Sequence, residues 1–87
     1  MDSGSSTIRL MKATSYRVLL REEPEGGYTV TVPALPGCVT FGATLKEAMA
    51  NAREAIDLYV ESLRAHGEEV PTEDRTLEYT LTVESIA

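Results

Sequence analysis

The segment from Gly27 to Ile56 constrains the fold of this chain more than any other part of the sequence. An alternating run at Tyr28–Val32 is followed by a Pro-Gly turn, a short run at Val39–Phe41 and an alanine-rich amphipathic stretch. Alternation with a period of two predicts a half-buried strand, whereas apolar residues three and four apart predict a helix. The segment therefore predicts strand, turn, strand and helix in that order.

Five glycines and prolines specify the backbone at the joints of this segment. Pro33 has no N–H to donate to a sheet, so it ends the strand that precedes it. Pro36 presets φ at the second position of a turn, and Gly37 suits the positive φ at the third position of a type II turn. Gly27 offers positive φ before the first of the two strands, and Gly42 releases the chain into the helix. We expect all five to specify the fold.

The helix has clear signals at both ends. Thr44 can accept a hydrogen bond from the amide of Glu47, and the Glu47 carboxylate can reach back to the amide of Thr44, which makes a capping box. Gly67 suits the position just after a helix end, and Pro71 follows it. The predicted buried face of the helix consists of Leu45, Ala48, Met49, Ala52, Ala55, Ile56, Tyr59, Val60 and Leu63.

Two further alternating runs flank this segment. Tyr16–Glu22 predicts a strand that forms a hairpin with Tyr28–Val32. Leu77–Val83 predicts a last strand, with Leu77, Tyr79, Leu81 and Val83 facing inward. The sequence thus predicts an α+β fold of order β-β-β-α-β, in which one helix packs on one face of a small antiparallel sheet. Cys38 and Phe41 are expected in its core.

The chain is short enough for a single domain. Its 87 residues begin with a Gly/Ser-rich stretch, so we expect residues 1–13 to be flexible and residues 14–87 to form one domain. A domain of this size buries little of its surface, so self-association would help to stabilise it.

No apolar run approaches the length of a membrane span, and the N-terminus lacks the pattern of a signal peptide. We therefore expect a soluble, cytoplasmic protein.

Charge and residue counts argue against several classes of site. The formal net charge of −6 disfavours a nucleic-acid backbone as the direct partner. Cys38 is the only cysteine and His66 the only histidine, which leaves neither an internal disulfide nor a Cys- or His-based metal site. We expect no cofactor and no metal.

A catalytic carboxylate cluster is also not expected. A two-metal nuclease needs acidic side chains that converge on ions about 3.5–4 Å apart. The predicted strand positions carry Val, Leu, Tyr and Thr, and Glu47 is explained by its capping role. The remaining acidic candidates are Glu22, Glu23, Glu25, Glu54 and Asp57. We therefore predict that the protein is not an enzyme.

One composite pattern resembles a known family. It consists of Gly27-Tyr28, Val32-Pro33, Leu35-Pro36-Gly37-Cys38, Thr40, Gly42, Thr44-Leu45, Glu47-Ala48, Asn51-Ala52 and Glu54-Ala55. Across residues 16–83 this pattern resembles the HicB family of antitoxins. The resemblance implies a partial RNase H-like fold that binds and covers a small basic RNA-cleaving toxin of the HicA type.

The sequence departs from the family pattern in three places. Ala34 and Ala43 stand where the family commonly has acidic residues, which weakens the case for a carboxylate–metal site. Members of the family often carry a C-terminal DNA-binding module. The sequence ends at Ala87, four residues after the last predicted strand, so we expect no such module and no direct nucleic-acid binding.

Several surface features are candidates for partner binding. Two acidic clusters could meet a basic partner, and the Pro33–Gly42 segment could line a groove. The candidate contact residues are Glu22, Glu23, Glu25, Leu35, Glu68 and Glu69. Unpaired sheet edges invite strand addition, so we expect a homodimer or homotetramer. The alternatives are a degenerate RNase H-like nuclease and an orphan domain that only associates with itself.

Overall fold

Three strands precede one helix in the computed structural model, which describes residues 13–86. Strands β1 (Leu19–Glu22), β2 (Tyr28–Thr31) and β3 (Val39–Gly42) form an antiparallel sheet in the order β1-β2-β3. Helix α1 (Leu45–Ala65) follows β3. The predicted α+β class and the order of the first four elements are confirmed. Residues 1–12, on which most of the predicted flexible segment falls, lie outside the described residues.

The register of the sheet separates two unlike faces. Leu20 is opposite Val30, and Val30 is opposite Thr40. This row faces α1, because Val30 packs in one buried cluster with Ala48 and Ala52. The neighbouring residues along each strand point to the other face, on which no helix lies within the part of the chain that the structure describes.

Close contact between the sheet and α1 depends on small residues. Ala48 and Ala52 are buried on the inner face of the helix. A Cβ atom on Gly42 would overlap the backbone of Ala48, so glycine is the residue that lets the start of α1 approach β3 this closely. The second buried cluster lies under the turn between β2 and β3 and consists of Val32, Leu35 and Cys38.

The turn between β2 and β3 has the predicted geometry. The N–H of Cys38 donates to the carbonyl of Leu35 at 2.9 Å, and Gly37 has φ of 83°, as the third position of a type II turn requires. The hydroxyl of Tyr59 donates to the carbonyl of Pro36 at 2.7 Å. The helix therefore holds the turn in place through a side chain two-thirds of the way along its length.

The N-terminal cap of α1 is confirmed with one difference. The N–H of Glu47 donates to the hydroxyl oxygen of Thr44 at 3.1 Å. The Glu47 carboxylate accepts from the N–H of Ala43 at 2.6 Å, one residue earlier than predicted. The box still provides acceptors for two amides that would otherwise lack partners at the helix start.

The C-terminal end of α1 is a Schellman motif. Gly67 has φ of 69°, and its N–H donates to the carbonyl of Arg64 at 3.1 Å. The N–H of Glu68 donates to the carbonyl of Leu63 at 2.9 Å. This pair of bonds defines the motif, so the sequence correctly predicts the end of the helix at Gly67.

Several residues predicted to be in the core are instead exposed. Phe41 lies on the face without a helix, because Thr40 takes the position that faces α1. Leu45 and Met49 are also 56 and 44% exposed. The physical reason is that one helix covers only part of one face of the sheet, so residues at its margins and on the opposite face remain open.

The predicted last strand is not present in the single chain. Within the described residues, 77–86 contain no strand or helix. The side chains of Leu77, Tyr79, Leu81 and Val83 are 79, 88, 86 and 75% exposed. Alternation correctly identifies a segment with one apolar face, but it does not say which surface will cover that face. We call residues 77–83 the C-terminal segment.

Candidate interaction surface

The face of the sheet opposite α1 presents apolar side chains to solvent. Leu19, Val39 and Phe41 are 53, 56 and 51% exposed. Leu19 and Val39 flank Thr31 in one cross-strand row, and Phe41 is opposite Thr29 in the next. We call Leu19, Val39 and Phe41 the open sheet face. Exposed apolar groups clustered on one surface mark a candidate contact site for another molecule.

Phe41 is held in place on the open sheet face. A Cβ atom on Gly27 would collide with the Phe41 ring, so the ring lies directly against the Gly27 backbone. The carbonyl of Phe41 accepts a hydrogen bond from the Asn51 side-chain amide at 2.7 Å. Because its backbone and ring are both supported, Phe41 is a preorganised apolar contact residue. Binding would therefore cost less side-chain conformational entropy.

The first acidic cluster lies beside this face, at the hairpin between β1 and β2. Glu22 and Glu25 are exposed, whereas Glu23 is half-buried. The Glu23 carboxylate accepts from the hydroxyl of Thr29 at 2.7 Å. Glu23 therefore has a structural partner already, and Glu22 and Glu25 are the two carboxylates of this cluster that are free to meet a basic surface.

The second acidic cluster lies at the opposite end of the domain. Glu68 and Glu69 are exposed and follow the C-terminal end of α1, whereas the hairpin lies near its N-terminal end. A helix of 21 residues is about 30 Å long. The two clusters therefore do not form one patch.

Leu35 is part of the core in this structure. Its side chain is 0% exposed and packs with Val32 and Cys38. A residue in this position supports the turn and cannot contact a partner unless the turn opens. The remaining sequence candidates, Glu22, Glu23, Glu25, Glu68 and Glu69, keep at least part of their surface accessible.

The described residues bring no three potential metal ligands among His, Cys, Asp and Glu together. Glu47 is occupied as a helix cap. Within the same residues, no helix is long and apolar enough to span a membrane.

Cys38 has the character of a core residue. It is 5% exposed, and burial raises the pKa of its thiol above the ordinary value of 9.0. Because the folded state disfavours the thiolate, this group contributes stability that is present below pH 9 and is lost as the pH rises through the folded pKa. The same burial disfavours reaction of the thiol.

The packing at Gly42 explains why Phe41 faces outward. Val39 and Phe41 point to one face of the sheet from β3, and Thr40 between them points to the other. Because Gly42 packs on Ala48, Thr40 and Gly42 are the residues of β3 that face the helix. The close approach at Gly42 is therefore the observation that assigns Phe41 to the outer face.

Comparison with known proteins identifies the family. Residues 16–85 match the family model described as the HicB-like antitoxin of bacterial toxin-antitoxin systems. The chain is 49% identical over 59 residues to a UPF0150 protein of Thermoplasma acidophilum, covering 68% of this chain and 86% of that protein. It is 46% identical over 68 residues to a UPF0150 protein of Synechocystis, covering 78% and 86%. The chain therefore belongs to the HicB-like antitoxin family of bacterial toxin-antitoxin systems.

Proposed function

We propose that this chain is a binding module that neutralises a small, basic, RNA-cleaving toxin of the HicA type by steric occlusion, without chemistry of its own. Membership in the antitoxin family supports a toxin as the partner. The observation that carries the choice of surface is the open sheet face, where three apolar side chains of the sheet are half exposed.

The open sheet face has the arrangement of a protein-binding surface. Its centre contains Phe41, Leu19 and Val39, and Arg21 shares the cross-strand row of Thr29 and Phe41. The hairpin that carries Glu25 lies at one margin of this face, and Glu22 lies at the same hairpin in the row of Tyr28, on the α1 side. Interfaces commonly place apolar and aromatic anchors at the centre and charged residues at a solvated rim. A toxin that fits this surface has an exposed apolar patch beside basic side chains. Bound there, it would be covered on its basic, RNA-binding surface.

The net charge of the chain also favours a basic partner. The chain has a formal net charge of −6, so a basic toxin would be attracted over distances comparable to the Debye length. Rim charges act mainly on the association rate and its salt dependence, whereas central apolar contacts act mainly on dissociation. The two parts of the surface can therefore be tested separately.

The first test replaces the central anchor. Phe41→Arg should raise the dissociation constant for a HicA-type toxin by about thirtyfold or more, as expected for an interface hot spot worth about 2 kcal/mol. Leu58→Arg is the matched control, because Leu58 is 61% exposed on α1, away from the sheet. Titration calorimetry gives the affinities, and RNA cleavage by the toxin in the presence of each variant gives neutralisation.

Thermal unfolding of both variants should show that each remains folded at the assay temperature. Equal neutralisation by Phe41→Arg and the unsubstituted chain would contradict the proposed surface. Magnesium-dependent cleavage of RNA–DNA hybrids by the purified chain alone would contradict the non-enzymatic role.

The second test compares the two acidic clusters. Replacing Glu22 and Glu25 by Gln should slow association with the toxin by about tenfold at low salt and flatten its salt dependence. The same double change at Glu68 and Glu69 is the control, since it removes equal charge from the far end of the domain. Stopped-flow association at several salt concentrations measures both. A larger effect at Glu68 and Glu69 would place the toxin at the other end.

A further inference from the structure

The edge of the sheet at β1 is open. The N–H of Glu23 donates to the carbonyl of Gly27 at 2.9 Å, so Glu23 is one of the residues whose backbone groups point toward the second strand of the hairpin. Because this direction alternates along an antiparallel strand, the N–H and C=O groups of Leu20 and Glu22 point away from β2. Among the described residues no strand pairs with this side of β1. An exposed edge of this kind is a template for an added strand.

The opposite edge, at β3, is better protected. The outward carbonyl of Phe41 is satisfied by the Asn51 side chain. The chain also passes from Gly42 directly into α1, whose start lies against β3. Strand addition is therefore favoured at β1.

A groove runs between α1 and the residues that lead into β1. It consists of two adjoining cavities of about 700 and 260 Å³. Its apolar lining includes Tyr16, Val18, Ile56 and Val60, all half-buried in the single chain. Exposed charged side chains, among them Arg53 and Asp57, line the same groove. A strand added at β1 would project one row of side chains into this groove.

The C-terminal segment has the matching pattern. Its residues Leu77, Tyr79, Leu81 and Val83 alternate with Glu78, Thr80 and Thr82. As an added strand, it would direct the four apolar side chains into the groove and the polar ones to the open face of the sheet. Its seven residues also equal the length of the run Tyr16–Glu22. The match to the family model extends through residue 85, so this segment belongs to the domain.

The base of the C-terminal segment lies beside the same edge but turns away from it. The hydroxyl of Tyr16 donates to the carbonyl of Pro71 at 2.7 Å. The N–H of Arg17 donates to the Glu73 carboxylate at 2.9 Å, and a turn closes where the N–H of Thr76 meets the carbonyl of Glu73 at 3.0 Å. Beyond this turn, residues 77–86 make no backbone–backbone hydrogen bond with the other described residues. The Glu78 carboxylate still pairs with the guanidinium of Arg17 in the same chain, at 3.3 Å.

We propose that two copies of this chain exchange their C-terminal segments, each adding residues 77–83 to the β1 edge and the groove of the other. The exchange is reciprocal, because each segment leaves its own domain beside the groove that receives the segment of the second copy. A twofold axis close to this point generates both contacts at once, as a closed dimer requires. The dimer buries the four apolar side chains that the single chain leaves in solvent.

The first experiment measures oligomeric state and uses a matched pair of substitutions. The unsubstituted chain should elute with twice the chain mass in light scattering at micromolar concentration. Leu81→Asp should raise the dimer dissociation constant by about a hundredfold or more, because it would bury a charge. Thr80→Asp, one residue away on the polar side of the segment, should leave the dimer intact. Both positions are exposed in the single chain, so neither change should unfold it.

The second experiment distinguishes exchange from other arrangements. In a mixture of isotope-labelled and unlabelled chains, isotope-filtered NMR should show contacts between Leu81 methyl groups of one copy and Ile56 or Val60 methyl groups of the other. A monomer with the same contacts inside one chain would mean that the segment folds back on its own domain and would overturn the proposal. A dimer indifferent to Leu81→Asp, or a monomer with residues 77–83 in solvent, would overturn it equally.

Discussion

Gly42→Ala is expected to lower the free energy of unfolding by about 3 kcal/mol, at the upper end of the range for overpacking. The added Cβ atom would overlap the N and Cα atoms of Ala48. These are backbone atoms at the start of α1, so no rotamer change can make room and the helix must shift from the sheet. A domain of 87 residues has a total stability of about 4–13 kcal/mol, so the loss is a large part of it.

Gly67→Ala is the matched control for this substitution. Gly67 has φ of 69° and nothing within 4 Å of an added Cβ atom, so its replacement introduces backbone strain without a clash, worth about 1–2 kcal/mol. Denaturant unfolding gives both values, and thermal unfolding should show a decrease of about 12–24 °C for Gly42→Ala. A smaller loss at Gly42 than at Gly67 would mean that α1 does not approach β3 as closely as described.

Leu35→Ala is expected to cost about 3 kcal/mol, within the 2–5 kcal/mol found when buried leucines are truncated. Leu35 is fully buried beneath the turn between β2 and β3, and its removal leaves a cavity beside Val32 and Cys38. Leu58→Ala is the control, since Leu58 is 61% exposed and the same truncation there should change stability by less than about 0.5 kcal/mol.

The same pair of variants separates stability from binding. After correction for the fraction folded, Leu35→Ala should bind the toxin with the affinity of the unsubstituted chain, because its side chain does not reach the surface. Titration calorimetry below the unfolding temperature makes the comparison. A specific loss of affinity with Leu35→Ala would show that the turn opens on binding and presents Leu35 to the partner.

Local features of this fold could be predicted from the sequence because their causes are local. The capping residue Thr44, the turn at Pro36-Gly37 and the stop at Gly67 each act within five residues along the chain. Backbone conformation and short-range hydrogen bonds are determined by neighbours that the sequence displays directly. The family pattern lies in the same segments, so the family and its antitoxin role could also be inferred from sequence.

Less of the candidate contact surface could be predicted from the sequence. The sequence shows two acidic clusters, but the distance between them follows from the length and placement of α1. Leu35 belongs to the same turn that the sequence specifies, yet its burial depends on helix residues such as Tyr59 and Val60 that pack from far along the chain. Phe41 was assigned to the wrong face because the parity of a four-residue strand offers little to distinguish its two sides.

By itself, the sequence determined the turn between β2 and β3, both ends of α1, the starts of β2 and β3 and which segments carry one apolar face; the first predicted strand begins three residues later than the alternation indicates. Only the tertiary structure decided which of those faces are covered: α1 covers Val30 and leaves Phe41 exposed, and the apolar side chains of residues 77–83 remain exposed in the single chain. The physical reason is that burial is a property of two surfaces in contact. An alternating pattern records the need for a second surface, whereas the three-dimensional arrangement determines whether the same chain provides it.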